Sequence, residues 1–447
     1  MRHCLDSLLK MKNNFKRYWV FAYGIRKDLF MKKHMFIKII CSIIFCMCLM
    51  GCAITGDNSD VYMPEKSPET EETPVQAEGL SRDEAIQAAA AYMENMTVEE
   101  KAGQLFVVNL ELIDNRNGSF YEWKKFTKTM KKSMEKYHIG GVILFSRNIA
   151  NRKQTKKLIN RLQKNSSIPL FITVDEEGGD VSRIAGNEKM KTTVFPSMEE
   201  IGKKEDESYV YKMGQTIASE IKELGFNTDF APVADVRTSE LNLEIGSRSF
   251  GGEPDKVAKM VSAFVKGMQQ QNISAALKHF PGQGSSSGDT HIESVNIDSS
   301  ITSLRKNDFV PFEAGIEAGA DFVMVSHISV SKVTETAQPA SMSGLIMETI
   351  LRDELGFQGV VITDAMDMAS ITETYTPAEA AYGAVSGGTD IVLMPEELDA
   401  AYNEILNKIN DGTISKERLD ASVLRILTVK FMRGIISAQD TSPIELN

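Results

Sequence analysis

The sequence predicts an α/β protein folded as a single (β/α)8 barrel of the TIM type. From about residue 100 onward, eight short apolar runs alternate with longer amphipathic segments. Continuous apolar strands joined by helices are typical of parallel strands that are covered on both faces. Charged and polar residues gather directly after the runs, which is where a barrel of this type has its active site.

The eight predicted strands follow one another along the chain with a helical segment in most of the gaps. The strands are residues 104–109, 141–145, 170–175, 227–232, 274–280, 322–327, 359–364 and 391–394. The main helical segments are residues 122–137, 152–163, 209–224, 256–271, 303–318 and 343–355. Eight such units favour a closed barrel. An open doubly wound sheet is the alternative, because strand order cannot be read from a sequence.

The barrel domain is predicted to extend over residues 80–440. It begins near Leu80, where Ser81 and Glu84 form the pattern of an N-cap followed by an acid at the third helical position. Residues 400–436 are predicted to form two closing helices with a turn at residues 411–412. No room remains for a second domain.

The first 51 residues differ in composition from the rest of the chain. They contain ten Lys and Arg residues against two acids, and residues 39–50 form an uncharged apolar run. This pattern is typical of a secretory signal, and the run is shorter than the ~20 residues of a membrane-spanning helix. The sequence Leu-Met-Gly-Cys that ends at Cys52 resembles the lipobox of bacterial lipoproteins. An uncleaved N-terminal anchor is the alternative.

This N-terminal pattern predicts a lipoprotein. We expect a signal peptide at residues 31–51, lipidation of Cys52, and attachment to the extracytoplasmic face of the cell membrane through that lipid. A signal that starts at residue 31 leaves residues 1–30 without a role, so we expect these to be a mis-called extension. The other four cysteines precede Cys52, so the mature protein would have no disulfides. Residues 52–79 are acidic and contain few apolar side chains. This composition predicts a disordered tether.

The composition limits the classes of partner. The chain carries 50 basic and 61 acidic side chains, for a formal net charge of −11. Because neutralising phosphates needs a basic surface, this balance argues against a nucleic-acid partner. With 42% hydrophobic and 25% charged residues, the composition also excludes collagen-like, coiled-coil and fully disordered chains.

Polar residues follow six of the eight predicted strands. They are Asp175-Glu176-Glu177, Asp235, Lys278-His279, Ser326-His327, Asp364 and Pro395-Glu396. Several charged groups at one barrel mouth indicate an active site. A single acid after a strand is usually a helix cap, which is the alternative for Asp235 and Glu396. Ser326 and His327 fit a pocket lining and a capped strand end equally well.

The segment from Lys278 to His291 is the most informative stretch. It reads Lys-His-Phe-Pro-Gly-Gln-Gly, then a Ser-rich run, then Asp-Thr-His. Its glycines and serines predict a mobile loop that carries His291 in and out of the mouth. Asp289 can orient and charge the imidazole of His291 for proton transfer near neutral pH. On loop composition alone, a surface loop with an incidental histidine is an equal alternative.

The motif Lys-His-Phe-Pro-Gly-x-Gly with a downstream Asp-x-His resembles the signature of family 3 glycoside hydrolases. More specifically, it is similar to that of bacterial β-N-acetylglucosaminidases of the cell-wall recycling type. The resemblance covers about residues 95–435. It includes Val-Asp-Glu-Glu-Gly-Gly from residue 174 with Arg183, Ile-Gly-Ser-Arg-Ser-Phe from residue 245, and Gly-Val-Val-Ile-Thr-Asp-Ala-Met from residue 359.

The resemblance implies a role for each matching residue. Asp364 corresponds to the nucleophile of a retaining mechanism, His291 to the acid/base and Asp289 to its partner. The residues implied to bind the sugar are Asp175, Arg183, Arg248, Lys278 and His279. A salt bridge to Glu176 or Glu177 is the alternative role for Arg183. Asp367 is expected to cap a helix. No metal or organic cofactor is expected.

Two positions depart from the pattern of the family. Gln283 stands where the family commonly has His, and Thr290 replaces a common Ser. Because the nucleophile and the acid/base pair are unaltered, we expect activity to survive. We expect these two changes to affect the rigidity of the loop and the substrate preference.

The leading functional hypothesis is an exo-acting retaining β-N-acetylglucosaminidase, a β-N-acetylhexosaminidase. Its expected substrate is an amino-sugar oligosaccharide or muropeptide, from which it hydrolyses terminal N-acetylglucosamine in peptidoglycan or chitin-derived fragments. Three alternatives remain: a phosphorolytic enzyme of the same fold, a non-catalytic sugar-binding lipoprotein, and a metal-dependent barrel hydrolase. The metal ligands in the last case would be His279, Asp289, His291 and His327.

Overall fold

Residues 79–437 are described by a computed structural model of the protein. The predicted N-terminal extension, the signal peptide, Cys52 and nearly all of the predicted tether lie outside the described residues. No helix within residues 79–437 is long and apolar enough to cross a membrane.

Eight parallel strands form the centre of the structure, and two further strands, β4 and β5, form a separate antiparallel hairpin. The ten strands are β1 Phe106–Val108, β2 Gly141–Ile143, β3 Phe171–Val174, β4 Glu176–Gly178, β5 Val181–Ser182, β6 Thr228–Asp229, β7 Ser274–Phe280, β8 Phe322–Val325, β9 Val360–Thr363 and β10 Val392–Leu393. Those of the main sheet lie in the order β10-β1-β2-β3-β6-β7-β8-β9. A parallel bridge between Ile362 and Ile391 brings β9 beside β10, so the sheet nearly closes. The predicted barrel is confirmed, and all eight predicted strands are present.

Helices surround this barrel. They are α1 Arg82–Met93, α2 Val98–Gln104, α3 Leu110–Ile113, α4 Lys128–Tyr137, α5 Arg152–Lys164, α6 Met198–Gly202, α7 Glu207–Lys222, α8 Pro254–Gln269, α9 Ile301–Lys306, α10 Phe309–Glu317, α11 Ser331–Thr334, α12 Ala369–Thr372, α13 Pro377–Ser386, α14 Leu398–Asn410 and α15 Lys416–Met432. A π-helix occupies Leu345–Glu354. The two closing helices predicted at the C-terminal end are α14 and α15.

Two helix starts follow from side-chain caps. Ser81 and Glu84 form the predicted reciprocal capping box at the start of α1. The predicted segment 122–137 becomes helical only at α4, because the Thr127 hydroxyl accepts the N–H of Met130 at 3.1 Å and starts the helix there.

One predicted helix, residues 303–318, is two helices in the structure. α9 ends at Lys306 and α10 begins at Phe309. Pro311 lies in the first turn of α10, the part of a helix in which a missing N–H removes no hydrogen bond. The proline therefore sets where the second helix begins.

The barrel interior is filled with side chains. The rings of Phe171 and Phe322 meet edge to face, with centroids 5.2 Å apart. Lys430 of α15 donates to Gln104 Oε1 at 2.7 Å and to the Gly140 carbonyl at 3.1 Å. Gln104 and Gly140 precede β1 and β2, so Lys430 lies at the N-terminal end of the barrel. The carboxyl ends of the strands meet at the opposite end, which is the mouth.

Candidate active site

Asp364 lies at the mouth, directly after β9. Its Oδ1 accepts the N–H of Ala365 at 2.8 Å. Burial acts to raise the pKa of Asp364, but electrostatic interaction with the imidazoles of His279 and His327, together with this hydrogen bond, lowers it below the usual value. The carboxylate is therefore held ionised, as a nucleophile requires.

His327 supports the peptide that follows Asp364. Its Nε2 lies 3.0 Å from the Ala365 carbonyl and its Nδ1 lies 2.8 Å from the Ser341 hydroxyl. Because a carbonyl only accepts, Nε2 carries the proton. Burial lowers the pKa of His327, which favours the neutral imidazole. Ser326 donates to the Phe280 carbonyl at 3.2 Å.

A buried ionic cluster occupies the side of the mouth formed by β3 and β7. Lys278 Nζ donates to Asp175 Oδ1 at 2.9 Å and lies 2.6 Å from Glu177 Oε1. Arg248 binds both oxygens of Glu177, at 2.7 and 2.9 Å. Burial acts to raise the pKa of Glu177, but Arg248 and Lys278 hold it well below its usual range. Arg183 lies 3.8 Å from Asp175, so its ion-pair partner is Asp175 and not Glu176 or Glu177.

His279 joins this cluster through Asp235. Its Nδ1 lies 2.7 Å from Asp235 Oδ2, and Asp235 also accepts the backbone N–H groups of His279 and Gln283. Since a carboxylate only accepts, Nδ1 carries the proton and Nε2 faces Arg248 at 3.4 Å. Asp235 thus orients His279, and the interpretation of Asp235 as a helix cap is wrong.

His291 lies on the loop after β7, next to Glu244, whose carbonyl accepts a hydrogen bond from Arg248 of this cluster. Its Nδ1 is 2.9 Å from Asp289 Oδ1, and Asp289 also accepts the His291 N–H. A second carboxylate, Glu244, lies 3.3 Å from the same Nδ1. Glu244 first and Asp289 second raise the pKa of His291 to about 9, against the opposing effect of burial. The imidazole is half exposed and available to a substrate.

Glu244 belongs to the candidate site and was not predicted from the sequence. It accepts the N–H and the hydroxyl of Thr290 at 3.0 and 2.6 Å, and a hydrogen bond from the Gln283 side chain. Gln283 and Thr290 are the two departures from the family pattern, and both bind this one carboxylate. Glu244 directly precedes the segment 245–250, which was the available signal.

Glu244, Asp289 and His291 each present a ligand atom within 4.8 Å of the others. Carboxylates and imidazole suit a divalent cation, which would compete with the Asp289 hydrogen bond for the same Nδ1. His279 is held by Asp235, and His327 by Ser341 and the Ala365 carbonyl, so the structure does not bring together the four ligands of the metal-dependent alternative.

The sequence profile of the glycosyl hydrolase family 3 N-terminal domain matches residues 97–429. The chain belongs to this family. It is 33% identical over 326 residues to beta-hexosaminidase A of Pseudoalteromonas piscicida, covering 67% of this chain and 54% of that protein. It is 34% identical over 275 residues to a beta-hexosaminidase of Stenotrophomonas maltophilia, covering 60% of this chain and 80% of that one.

Two solved structures resemble the barrel. A family 3 beta-N-acetylglucosaminidase from Paenibacillus sp. superposes with a TM-score of 0.71 at 34% identity, covering 76% of this chain and 63% of that one. A beta-glucoside phosphorylase, BglX, superposes with a TM-score of 0.68 at 26% identity, covering 79% and 61%. This family 3 chain therefore spans about half of the P. piscicida relative and less than two thirds of these two structures.

Proposed function

We propose that the protein is an exo-acting retaining β-N-acetylglucosaminidase that removes terminal N-acetylglucosamine from peptidoglycan or chitin-derived fragments. The observation that carries this proposal is that an ionised Asp364 and a charged His291 lie at the same barrel mouth, close enough for their charges to interact. Two beta-hexosaminidases with about one third identity support the substrate class.

The two residues divide the chemistry between them. Asp364 attacks the anomeric carbon and forms a glycosyl–enzyme bond, while protonated His291 gives its proton to the departing oxygen. A pKa of about 9 keeps His291 in the acid form at neutral pH. In the second step the neutral imidazole takes a proton from a water molecule, whose oxygen bonds to the anomeric carbon and displaces Asp364. The sugar is released, and the carboxylate and the protonated imidazole are restored.

The ionic cluster supplies the sugar-binding groups. Asp175 accepts hydrogen bonds from hydroxyls, while Arg183, Arg248 and Lys278 donate them. Their mutual ion pairs hold these side chains in place before the substrate arrives, which lowers the entropy cost of binding. His279 Nε2 adds an acceptor whose orientation Asp235 sets.

Covalent trapping tests the proposal. A 5-fluoro N-acetylglucosaminyl donor with a good leaving group should label the enzyme, and peptide mapping should place the label on Asp364. The Asp364→Asn variant should take up no label while keeping the fold by circular dichroism. A label on any other residue contradicts the mechanism.

Phosphorolysis is the second candidate, since a structural relative is a phosphorylase. The surroundings of His291 favour water as the acceptor, because Glu244 and Asp289 lie within 3.3 Å of its Nδ1 and would repel phosphate. Turnover with and without phosphate distinguishes the two reactions. Free N-acetylglucosamine is the expected product in both cases, and the sugar 1-phosphate as main product would contradict hydrolysis.

We further propose attachment to the extracytoplasmic face of the membrane through a lipid on Cys52. The lipobox-like sequence at residues 49–52 supports it. The protein expressed in a bacterial host should incorporate a clickable fatty acid, and Cys52→Ser should not. Equal labelling of both proteins would contradict lipidation.

A further inference from the structure

One side of the barrel is strongly basic, although the chain as a whole is acidic. Residues 122–164, which include α4 and α5, contain thirteen Lys and Arg residues against two acids, in a chain with a formal net charge of −11. A soluble surface normally mixes charges of both signs. A surface of one sign on a molecule of the other sign indicates a partner of complementary charge, here an anionic one.

The outer face of α5 carries a stripe of five cations. The face turned to the barrel is buried, and the outer face presents the exposed side chains of Lys153, Lys156, Lys157, Arg161 and Lys164. Their spacing places them on one side of the helix over a length of about 16 Å. Among the residues that the structure describes, none of the five has an ion-pair partner, so their charges are available to a ligand.

The lysines of α4 broaden this stripe into a surface. α4 lies between β1 and β2, and α5 between β2 and β3, so the two helices are neighbours on the outside of the barrel. The Gln154 side chain donates to the Lys124 carbonyl at 2.9 Å, which joins the start of α5 to the segment before α4. Lys125, Lys128 and Lys132 are exposed and also lack an ion-pair partner in the described part of the chain. We call these eight cations the basic face.

The chemistry of the basic face fits a lipid surface better than a nucleic acid. Seven of its eight cations are lysines, whose ammonium groups act as point charges on flexible stems, whereas arginine favours bidentate recognition. Neither α4 nor α5 exposes an aromatic side chain on which a base could stack. Two helices side by side instead present a broad array of ammonium groups, which matches anionic headgroups spread in a plane.

We propose that the basic face binds the headgroups of an anionic lipid membrane. Such a contact is independent of the proposed catalytic activity. It adds to the proposed lipid on Cys52, because a basic patch and a lipid anchor act together as two attachment signals. Since α4 and α5 run along the side of the barrel, the mouth would open along the membrane surface and stay accessible to a substrate.

Photo-crosslinking on the full chain tests the contact. p-Benzoylphenylalanine in place of Asn160, an exposed residue within the stripe, should form lipid adducts in vesicles of phosphatidylglycerol and phosphatidylcholine in equal parts. The yield should fall about fivefold or more in pure phosphatidylcholine and at high salt. The control position is Thr349, exposed on the π-helix between β8 and β9 at the far side of the barrel, which should give few adducts in either vesicle. Yields are compared at equal amounts of vesicle-bound protein, so attachment through the N-terminal residues does not affect the ratio.

Charge variants connect the adducts to the lysines. The combined variant Lys153→Gln, Lys156→Gln and Lys157→Gln should lower the adduct yield at residue 160 about tenfold. A control variant makes the same change in net charge on α7 and α8, with Lys212→Gln, Lys222→Gln and Lys259→Gln, and should leave the yield unchanged. Both variants should keep the wild-type hydrolysis of a soluble aryl N-acetylglucosaminide, so the membrane contact and the proposed activity are tested separately.

Three results overturn the proposal. Equal yields with the two kinds of vesicle would show that the contact does not depend on anionic lipid. Retention on immobilised polyphosphate without lipid adducts would assign the basic face to a phosphate polymer. Adducts to the acidic residues 52–78 of the chain itself, in place of lipid, would show that the face is covered from within the protein.

Discussion

At the scale of single residues, the raised pKa of His291 depends on two carboxylates that come from different parts of the chain. Asp289 lies two residues before it on the same loop, whereas Glu244 belongs to the segment between β6 and α8. Asp289 therefore moves with the imidazole, and Glu244 fixes where the imidazole rests. Only the first of these could be predicted from the sequence, because Glu244 is near His291 in space and not along the chain.

Replacing His291 with alanine should affect substrates according to their leaving group. An alkoxide leaving group needs a proton, so kcat/KM for N,N′-diacetylchitobiose should fall by about 10²–10⁴. The loss on 4-nitrophenyl N-acetyl-β-glucosaminide should be much smaller, since nitrophenolate departs without help. Steady-state kinetics on both substrates provides the measurement. An equal loss on both substrates would mean that His291 is not the acid.

Replacing Glu244 with glutamine should change the pH profile. Glu244 is the main cause of the raised pKa of His291, so its loss should lower that pKa from about 9 by about one unit. His291 acts as an acid, so activity is lost as the pH rises through its pKa. The alkaline limb of kcat/KM for diacetylchitobiose should therefore move to lower pH in the variant. If the alkaline limb does not move, Glu244 does not raise the pKa of His291. The matched control is Glu317→Gln, at an exposed acid of α10.

At the scale of elements, the loop after β7 shows why its glycines are needed. A Cβ on Gly284 would lie 2.1 Å from the Val236 carbonyl oxygen, and Gly282 has a φ of +116° beside Asp308. The sequence reasoning took these glycines as a sign of mobility. In the structure they permit close approach of the loop to its neighbours, a packing requirement that depends on residues far away in the chain.

Replacing Gly284 with alanine should displace His291, the proposed acid/base, without contacting it. The added methyl must push the loop away from Val236, which displaces the hydrogen bonds of Gln283 and Thr290 to Glu244. We expect kcat/KM to fall about tenfold or more while α-helical content is retained, since small misplacements of a catalytic group cost up to ~10²-fold. The matched control is Gly344→Ala, where a Cβ would meet nothing nearer than 3.9 Å. Equal activity of the two variants would argue against the packing role.

Strand positions were predictable because parallel barrel strands are continuous apolar runs, and each of the eight runs carries such a strand. The antiparallel hairpin of β4 and β5 was not predicted, because Glu176 to Ser182 is polar and Gly-rich. That hairpin nonetheless positions Glu177, the central carboxylate of the sugar-binding cluster. Polar segments at a functional site lack the periodicity from which secondary structure is read.

At the scale of the whole molecule, the barrel presents charge at both ends for different purposes. The mouth holds the ion pairs that are proposed to bind the substrate. At the other end, Asp390 is buried among Arg352, Arg418 and Arg425, and the shortest contact is 2.6 Å to Arg352. Removing one member of such a buried group leaves uncompensated charge, so these residues serve the stability of the fold.

Lys430 gives that end a pH-dependent contribution to stability. Burial lowers its pKa in the folded protein from 10.5 to about 7, while the unfolded chain keeps the ordinary value. Between these two values the unfolded state binds more protons, so stability rises with pH in this window. From pH 7 to 9 the free energy of unfolding of the wild type should gain about 2 kcal/mol relative to Lys430→Met. Urea unfolding of both proteins across this range measures the difference, and Lys266→Met on the exposed face of α8 should show no such gain. A difference between wild type and Lys430→Met that stays constant with pH would show that Lys430 remains charged inside the barrel.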